Sequence, residues 1–500
     1  MRVRVAVLAL LAASSCSAPA GMDGGTGGGV PFFSGGGGGG GFGGGTTGGG
    51  GTTGGGTTGG GTTGGGTTGG GTTGGGTTGG GTTGGGTTGG GSQVPTNGTI
   101  LRVGMENQLI VPAPDGSMHM LFTEGAAERV IYGRCAASCA NPASWNFSQL
   151  LSNAAIASLT IGVSGFVIDG TGRLHAIVDG VAPAPNTDPV IYATCAANCS
   201  MPSSWSTVNL GALLLNGAVS VISGLTVAPN GTIGVIGRGA FGNYMAHYAT
   251  CAANCTMVSS WSAGPVIDGT VSYIARDGSG VTHALFSAGY AASGEALHYY
   301  ARCASNCTQG ASWQKSPTGF VHTTGDWTAG FTVTPSGRVF LSFNQGVTTI
   351  GSSANNTLFV NTCLGATCTD LATWSSIGIV VDEYEDETWL ASDGEGVGLI
   401  TATTGELHFR SCTANCQSAA NWSGSTTLDT FTAIAQTIPP DTASSCAGNS
   451  TSAFWYPQHP RGAASTSGAV IGFTAYALVN CPGASNAQRM PPIGRLFSTF

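Results

Sequence analysis

A pattern of two closely spaced cysteines followed by a tryptophan occurs six times in this chain of 500 residues. In every copy the tryptophan lies six residues after the second cysteine, and successive tryptophans are about 48 to 61 residues apart. Repetition at this period indicates a fold assembled from similar supersecondary units, such as the blades of a propeller. The cysteine pairs are Cys135 and Cys139, Cys195 and Cys199, Cys251 and Cys255, Cys303 and Cys307, Cys363 and Cys368, and Cys412 and Cys416.

Each cysteine pair predicts a β-hairpin closed by a disulfide bond. Residues 190–192 are β-branched and aromatic, as expected of the strand that enters the second hairpin. Three residues join the cysteines in five copies, and the common hairpin loop of this length ends in a left-handed residue. Asparagine tolerates that conformation and stands at the last loop position in four copies. Ser138 stands there in the first copy, and the fifth copy has a four-residue loop.

Structural zinc suits these cysteines less well than disulfides do. Zinc sites use four ligands, commonly from two C-x2-C pairs that are close in space. Here the spacing is longer, and each pair belongs to its own repeat. We therefore expect no metal at these cysteines, and a contribution of about 2 kcal/mol to stability from each short disulfide loop.

Two further strands are predicted before every hairpin. In the second repeat, residues 165–168 form an apolar run that ends in an Asp-Gly turn, and residues 174–178 form a second run. With the two hairpin strands, each repeat then has the four antiparallel strands of a propeller blade.

After Trp422 the pattern degrades, although four segments retain the character of strands: 431–438, 453–456, 469–481 and 493–500. We therefore predict an all-β propeller over residues 96–500, with seven four-stranded blades and residues 99–103 as an added closing strand. Cys446 and Cys481 would pair in the last blade. Six blades followed by a C-terminal appendage is the alternative.

The order of these features resembles a known repeat. The order is a strand, an Asp-x-Gly turn, a strand with His, Tyr-x-x-Cys, a second Cys and a Trp. Over roughly residues 96 to 430, this order resembles the repeats of myxobacterial-type β-propeller lipoproteins. The hairpin with its following Trp is also distantly similar to the Asp-box turn of sialidase-like propellers. The Asp-box sequence itself is absent, and the disulfide hairpin stands in its place. The resemblance implies a propeller fold, with a sialidase-like activity as one expectation.

The first residues predict export. Arg2 and Arg4 precede a short apolar segment that is too brief to span a membrane. The sequence Ala-Ser-Ser-Cys at 13–16 resembles a bacterial lipobox, which implies lipidation of Cys16 after removal of the signal peptide 1–16. Ordinary cleavage after Ala20 is the alternative. Either way we expect an exported protein, and with lipidation one anchored in the bacterial cell envelope, at the outer membrane or cell surface.

Residues 17–95 are dominated by Gly and Thr, with Thr-Thr-Gly-Gly-Gly repeated from Thr46 onward. Such a composition cannot bury a core, so we expect a disordered tether. Seventy residues of this kind would have a root-mean-square span of roughly 45 Å. Behind a lipid anchor, the tether would hold the propeller clear of the membrane surface.

Composition limits the partners. The net charge is −8 and only 8% of residues are charged, so there is no basic patch for nucleic acid or anionic lipid. The only membrane contact we expect is through the lipid anchor. The many paired cysteines indicate an oxidising compartment.

Ligand binding is expected on one end of the propeller. The 1–2 and 3–4 turns share one end and are nearly uniform between repeats, whereas the 2–3 and 4–1 connections share the other end and vary in length. Variable loops on a rigid scaffold are where binding function concentrates.

Acidic residues on the variable end are candidates for Ca²⁺ or ligand binding, because carboxylate oxygens suit calcium. A solvated acidic loop is the competing interpretation. The candidates are Asp382, Glu383, Glu385, Asp386 and Glu387, with His322 and Asp326 in the equivalent connection one blade earlier. We expect no other cofactor.

Two further sets of residues are interpreted as structural. His119, His175 and His283 recur at one position of the second strand, and we expect hydrogen bonds there rather than a metal ring. A sialidase-like clamp would need three arginines around a carboxylate. The arginines weighed for this clamp lie on the third strand or beside the 1–2 turns, so we expect no such clamp: Arg134, Arg302, Arg410, Arg173 and Arg338.

These features predict a surface-displayed binding or adhesion module that recognises a glycan or a protein and has no catalytic residues that we can assign. A sialidase-like glycan hydrolase is the first alternative, and a structural envelope component is the second.

Overall fold

The architecture was analysed in a computed structural model of the full chain. The structure describes residues 99–103, 105–124, 128–139, 141–183, 187–215, 221–238, 245–290, 296–322, 330–344, 357–380, 387–402, 406–430, 453–465, 468–479, 488–489 and 493–498. The lipobox, the Gly/Thr-rich segment and Cys446 with Cys481 lie outside these residues, so the predictions made for them stay predictions.

The chain is all-β, as expected, and its strands follow the repeat. After β1 (Thr99–Val103) come six sheets of four strands each. Blade one contains β2 (Met105–Pro112), β3 (Met118–Glu124), β4 (Arg129–Cys135) and β5 (Trp145–Ser152). Blade two contains β6 (Gly162–Ile168), β7 (Leu174–Asp179), β8 (Val190–Cys195) and β9 (Ser206–Asn209). Blade three contains β10 (Val221–Val227), β11 (Ile233–Arg238), β12 (Met245–Cys251) and β13 (Ser262–Asp268).

The last three repeats are built alike. Blade four contains β14 (Thr270–Arg276), β15 (Thr282–Tyr290), β16 (Ala296–Cys303) and β17 (Gln314–His322). Blade five contains β18 (Gly330–Val333), β19 (Arg338–Asn344), β20 (Thr357–Leu364) and β21 (Ser375–Val380). Blade six contains β22 (Glu387–Asp393), β23 (Gly396–Ala402), β24 (Glu406–Cys412) and β25 (Thr426–Thr430).

Among the described residues, helical structure is confined to short connections. The α-helix α1 (Gly211–Leu215) precedes blade three, and single 3-10 turns occupy Pro142–Ser144, Ala154–Ile156, Pro202–Ser204, Val258–Ser260, Gly310–Ser312, Leu371–Thr373 and Ala419–Asn421. Nowhere in the described ranges is there a helix with the length and apolar character needed to traverse a bilayer.

All six repeat cysteine pairs form the predicted nearest-neighbour disulfides, with Cα separations of 5.4 to 5.8 Å. The four asparagines at the last loop position have φ between 53° and 56°, and Ser138 has φ 56°, so all five adopt the left-handed conformation. After each hairpin loop a 3-10 turn leads to the Trp, whose indole N–H donates to the carbonyl of the second Cys. The disulfide and this bond together fix the hairpin.

The Trp of one blade packs against the Tyr of the preceding blade. Tyr192 meets Trp261 edge-on, with ring centroids 5.2 Å apart and an interplanar angle of 70°. The same T-shaped contact recurs at three further junctions, Tyr132 with Trp205, Tyr248 with Trp313, and Tyr300 with Trp374. All four tyrosines are fully buried. Because each pair joins neighbouring repeats, the core lies between the blades, where edge-to-face rings add to the burial of apolar surface.

The first strands of the blades line up in a ring. β2 packs against β6, β6 against β10, β10 against β14, β14 against β18, and β18 against β22. β26 (Ala453–Ser465) contacts both β22 and β2, so it fills the position between blade six and blade one.

The ring is completed by a sheet that is not a copy of the repeat. Its strand order is β1-β29-β27-β26, and β28 pairs with β27. The additional strands are β27 (Gly468–Val479), β28 (Gln488–Arg489) and β29 (Ile493–Ser498). Residues 99–103 form the predicted closing strand, since β1 pairs with β29, Thr99 opposite Leu496.

The number of blades is therefore six, the alternative expectation, and we call the additional sheet the closing sheet. Three of the four segments expected to form strands after Trp422 are strands of the closing sheet, namely β26, β27 and β29. Residues 431–438, the expected first of these strands, lie outside the described part of the chain, so that strand stays a prediction. The edge of the closing sheet is β1, at the position expected for the closing strand.

Candidate functional site

Two ends of the propeller carry different structures. In each repeat the first Cys pairs with the start of the second strand, as Cys195 does with Leu174, so the 1–2 turn and the disulfide hairpin lie at the same end. We call this end the hairpin face. The 2–3 and 4–1 connections, at the opposite ends of the same strands, form the loop face.

In blades one, two and four an acidic side chain organises the 1–2 turn of the hairpin face. In blade two, Asp169 Oδ1 accepts hydrogen bonds from the backbone N–H groups of Thr171 and Arg173, both at 2.9 Å. Gly172 has φ +83°, a conformation that an L-residue rarely adopts. Asp277 makes the equivalent bonds in blade four, to the backbone of Ser279 and Val281.

The same carboxylate reaches a buried histidine. His175 Nε2 lies 3.2 Å from Asp169 Oδ2, and His175 Nδ1 lies 2.7 Å from the hydroxyl of Tyr192. The imidazole thus connects the 1–2 turn with the third strand. Since Tyr192 packs on Trp261, the chain of contacts runs from the turn to the next blade.

Burial sets the protonation states in this network. Burial lowers the pKa of His175, against the opposing influence of Asp169. Burial would raise the pKa of the Asp169 carboxyl, but hydrogen bonds from Thr171, Arg173 and His175 bring it below its ordinary value. The pKa of Tyr192 is raised by burial to about 12. Near pH 7, Asp169 is therefore a carboxylate, His175 a neutral imidazole and Tyr192 a neutral phenol.

Two other blades carry variants of the network. His283 bonds Tyr300 at 2.6 Å and Asp277 at 3.2 Å. In blade one, His119 bonds Tyr132 at 2.6 Å, but its second nitrogen meets Ser117 Oγ, which in turn donates to Asp115. Burial lowers the pKa of His119 to about 4.

Blade three replaces the histidine with a residue from its neighbour. Gly234 stands at the histidine position, and a Cβ there would collide with the hydroxyl of Tyr248. Arg276 of blade four donates to that hydroxyl at 2.6 Å and to the carbonyl of Thr232 at 2.7 Å. The sequence gives no local sign of this substitution, because the donor belongs to the next repeat.

These histidines do not form a metal ring. Each is bonded to the tyrosine of its own blade, as expected for a structural role. Within the described ranges no cluster of three or more His, Cys, Asp or Glu could hold a metal ion.

On the loop face, the structure brings together two carboxyl groups that sequence reasoning missed. Asp179 ends β7 and accepts a hydrogen bond from Ser164 Oγ at 2.6 Å. Burial raises the pKa of Asp179, and the nearby charge of Asp188 acts in the same direction. Asp188 is buried, and its Oδ1 accepts from Ala182 N at 2.7 Å. Its Oδ2 has no hydrogen-bond partner among the described residues. The signal in the sequence is weak, since both are single acidic residues flanking a Pro-rich connection.

Five of the seven candidate residues on the loop face lie outside the described residues: Asp326, Asp382, Glu383, Glu385 and Asp386. Glu387 begins β22, and His322 ends β17, where its backbone is paired with Ala296. The calcium and ligand predictions for these residues stay predictions.

The arginines considered for a carboxylate clamp lie in five different blades. Arg134 is exposed, with a guanidinium nitrogen 3.7 Å from Asp115 Oδ2, whereas Arg410 is buried. All five are on the third strand near the cysteines or beside the 1–2 turns, toward the hairpin face. Their placement agrees with the expectation that they do not form a clamp on the loop face.

Known solved structures match this chain at sequence identities of 10 to 12%. No protein-family model and no curated protein matches the chain. Among solved structures, a polysaccharide lyase of family PL25, an ulvan lyase bound to a GlcA–Rha3S saccharide, is 10% identical and covers 80% of this chain and 95% of its own, with a TM-score of 0.45. A trans-sialidase-active mutant of Trypanosoma rangeli sialidase is 12% identical, with coverage of 77% and 71% and a TM-score of 0.41. The SapL1 lectin in complex with α-methyl fucoside is 12% identical, with coverage of 67% and 96% and a TM-score of 0.36. The structural neighbours thus include carbohydrate-active propellers.

Proposed function

We propose that this protein is a surface-displayed lipoprotein whose propeller recognises a glycan or a protein ligand through its loop face. The observation that carries the proposal is the contrast between the two ends. The hairpin face repeats a disulfide hairpin in all six blades and a buried His-Tyr hydrogen bond in three of them. The connections of the loop face differ from blade to blade in length and sequence. Variation on a rigid scaffold is the usual arrangement of a binding site.

The N-terminal sequence supports display at a surface. A lipidated Cys16 would anchor the chain, and the Gly/Thr-rich residues 17–95 would extend it by roughly 45 Å. The resemblance to myxobacterial-type propeller lipoproteins points to the same placement. Mass spectrometry of the mature protein tests this part: we expect an acylated N-terminal Cys16, and an unmodified start at Gly21 would contradict it.

A glycan hydrolase is a second candidate because of Asp179 and Asp188. Glycoside hydrolysis commonly uses two carboxyl groups, one of which has a raised pKa and donates a proton. Asp179 has the raised pKa, and Asp188 supplies a second carboxyl nearby. Perturbed carboxyl groups of this kind are enriched at functional sites, although structural networks also contain them.

One experiment separates the two functions. The purified full-length chain is tested on a glycan array for binding and on a panel of glycoside substrates for turnover. Binding without turnover supports recognition. Turnover that is lost in Asp179→Asn and in Asp188→Asn, with unchanged melting temperatures above 37 °C as the folding control, supports the hydrolase. Neither binding nor turnover with glycans or intact cells would contradict both and favour a structural envelope component.

The acidic segment provides a separate test of calcium. If residues Asp382 to Glu387 bind Ca²⁺, calorimetry on the full chain will detect it, and a variant with Asn and Gln at the five acidic positions will lose the signal. Equal heats in the two proteins would leave the segment as a solvated acidic loop.

A further inference from the structure

One buried carboxylate oxygen on the loop face has no hydrogen-bond partner. Asp188 lies in the 2–3 connection of blade two, and only 5% of it is exposed. Its Oδ1 accepts a hydrogen bond from the backbone N–H of Ala182, but its Oδ2 has no partner in the described part of the chain. Of the buried side-chain atoms without a partner among the described residues, it is the only one from an acidic residue. Native proteins rarely leave a buried polar atom unpaired, and a bound ion is one explanation when they do.

The strand register places a second carboxyl group beside this oxygen. Asp179 pairs with Val190 across β7 and β8, and the backbone N–H of Gly180 donates to the carbonyl of Pro189 at 3.2 Å, so the pairing continues one residue beyond both strands. Because side chains alternate along a strand, Asp188 projects from the same face as Val190, and hence from the same face as Asp179. Diagonal neighbours of this kind are about 7–8 Å apart. The influence of the Asp188 charge on the pKa of Asp179 agrees with this placement.

Neither carboxyl group is compensated by a cationic side chain. None of the ion pairs between described residues includes Asp179 or Asp188. The hydrogen bonds that reach them come from neutral donors, the hydroxyl of Ser164 and the backbone of Ala182. Two neighbouring carboxylates that have lost hydration repel each other, and a proton or a cation bound between them removes that cost.

The fold itself does not require acidic residues at these two positions. All six blades pair the second strand with the third in the same register, so the equivalent positions are known in each. Blade one has Thr123 and Glu128 there, and blades three to six have no acidic residue at either position. Blade two alone combines two carboxyl groups. A bound ligand explains this pair better than packing does, because the other blades are built without it.

The chemistry of the pair suits a hard divalent cation. Ca²⁺ binds oxygen atoms at about 2.3–2.6 Å and accepts carboxylates, backbone carbonyls and water in a flexible geometry. Two carboxyl groups on diagonal positions are close enough to bind one such ion. Within the described ranges no third acidic, His or Cys side chain is grouped with them, so carbonyl oxygens and water would complete the coordination. Asp179 is partly exposed, which gives the ion a path into the site.

We propose that Asp179 and Asp188 bind a calcium ion on the loop face, between the end of β7 and the connection that leads to β8. The ion would fix the base of this connection, which the bond from Ala182 to Asp188 already closes. The site goes beyond the proposed recognition function, because it does not depend on which glycan or protein the loop face binds. It is an alternative to the glycan hydrolase, since a carboxyl group that binds Ca²⁺ is not free to donate a proton.

Calorimetry and thermal unfolding of the full-length chain in CaCl2, MgCl2 and EDTA test the proposal. We expect a dissociation constant for Ca²⁺ of about 10⁻⁴–10⁻³ M, as in extracellular calcium modules, and about tenfold weaker binding of Mg²⁺, which demands a stricter geometry. The melting temperature should rise by several degrees between EDTA and about 10 mM Ca²⁺.

Asp188→Asn and Asp179→Asn should each abolish the calcium response, because each removes one of the two carboxylates. In EDTA, Asp188→Asn should melt at the same temperature as the unmodified protein or above it, since the change removes an uncompensated charge. A residue that only stabilises the fold would give a lower melting temperature in EDTA as well.

Glu128→Gln is the matched control, since it removes an exposed carboxyl group from the equivalent position of blade one. This variant should keep the full calcium response, and Ca²⁺ binding at this pair should persist in the variant of the acidic segment Asp382 to Glu387. An unmodified protein that does not respond to Ca²⁺, or an equal response in both Asn variants, would overturn the proposal. Glycan binding without a calcium response would overturn the ion site and leave the recognition function standing. Turnover that is lost in both Asn variants, again without a calcium response, would assign the pair to the hydrolase instead.

Discussion

At the level of single residues, the tyrosine of the third strand has two roles. Its ring forms part of the apolar junction with the next blade, and its oxygen is bonded to the histidine that the 1–2 turn positions. A polar atom at such depth is tolerated only because it has a partner. The Asp-His-Tyr network therefore aligns the ring that holds neighbouring blades together.

Removing the tyrosine hydroxyl measures how much the Asp-His-Tyr network contributes to stability. Tyr192→Phe keeps the ring against Trp261 but leaves the buried His175 Nδ1 without its 2.7 Å partner. An unsatisfied buried group costs about 1–3 kcal/mol, so we expect the free energy of unfolding in urea to fall by that amount. Tyr299→Phe, at a partly exposed tyrosine that stacks on Phe286, should change it by less than about 0.5 kcal/mol. Equal effects of the two changes would show that the network contributes nothing.

Stability should fall in mild acid because of His119. Its pKa is about 4 in the folded protein, below the ordinary value of 6.5, because burial disfavours the imidazolium. The unfolded chain therefore binds the proton first, so stability from this group is full above pH 6.5 and is lost as the pH falls toward 4. Between pH 7.5 and pH 5 the loss should be on the order of 2 kcal/mol. Urea unfolding of His119→Gln at both pH values should show a smaller loss than the unmodified protein, and an unchanged pH dependence would contradict the assignment.

At the level of elements, the disulfide hairpin is the unit that the sequence describes best. The loop length, the Asn at the last position and the Trp after the second Cys each correspond to one structural feature. These features are local, so turn chemistry and cysteine spacing are enough to predict them. Two copies depart from the pattern in sequence: the fifth has a four-residue loop, and the first has Ser138 in place of Asn, which nevertheless adopts the left-handed conformation with φ 56°.

Ser138→Asn should stabilise the protein. Asparagine enters the left-handed region more readily than serine, and four other hairpins have it at this position. We expect the free energy of unfolding to rise by a few tenths to about 1 kcal/mol, with unchanged far-UV circular dichroism. Asn254→Ala is the reverse change in blade three and should lower stability by about 1 kcal/mol. A loss of stability in Ser138→Asn would mean that the serine has a role beyond the turn.

Contacts between side chains of different repeats could not be predicted from the sequence. Arg276 replaces a histidine in the neighbouring blade, and no pattern within one repeat indicates that its guanidinium crosses to Tyr248. The carboxyl pair on the loop face was missed for a similar reason. Asp179 and Asp188 stand nine residues apart in a chain with few charges, and only the fold brings the charge of Asp188, which is buried, close enough to act on the pKa of Asp179.

At the level of the whole molecule, closure of the ring joins the two ends of the propeller. The strands of the six repeats and their order could be predicted from the sequence, because consecutive strands pair with each other in every blade. The closing sheet was predicted less well. Its edge strand β1 pairs with β29, almost four hundred residues later, and such a pairing is set by the geometry of closure rather than by local pattern.

The closing strand should therefore stabilise the entire propeller. Deleting residues 92–103 removes β1 and its pairing with β29, so the sheet that contacts blades one and six loses a strand. We expect the melting temperature to fall by several degrees, since each kcal/mol corresponds to about 2–4 °C in a domain of this size. Deleting residues 70–81, an equally long part of the Gly/Thr-rich segment, is the control and should leave the melting temperature unchanged. Because the six disulfides remain in both proteins, a difference between them measures the contribution of β1 to closure, and equal melting temperatures would show that β1 contributes nothing to it.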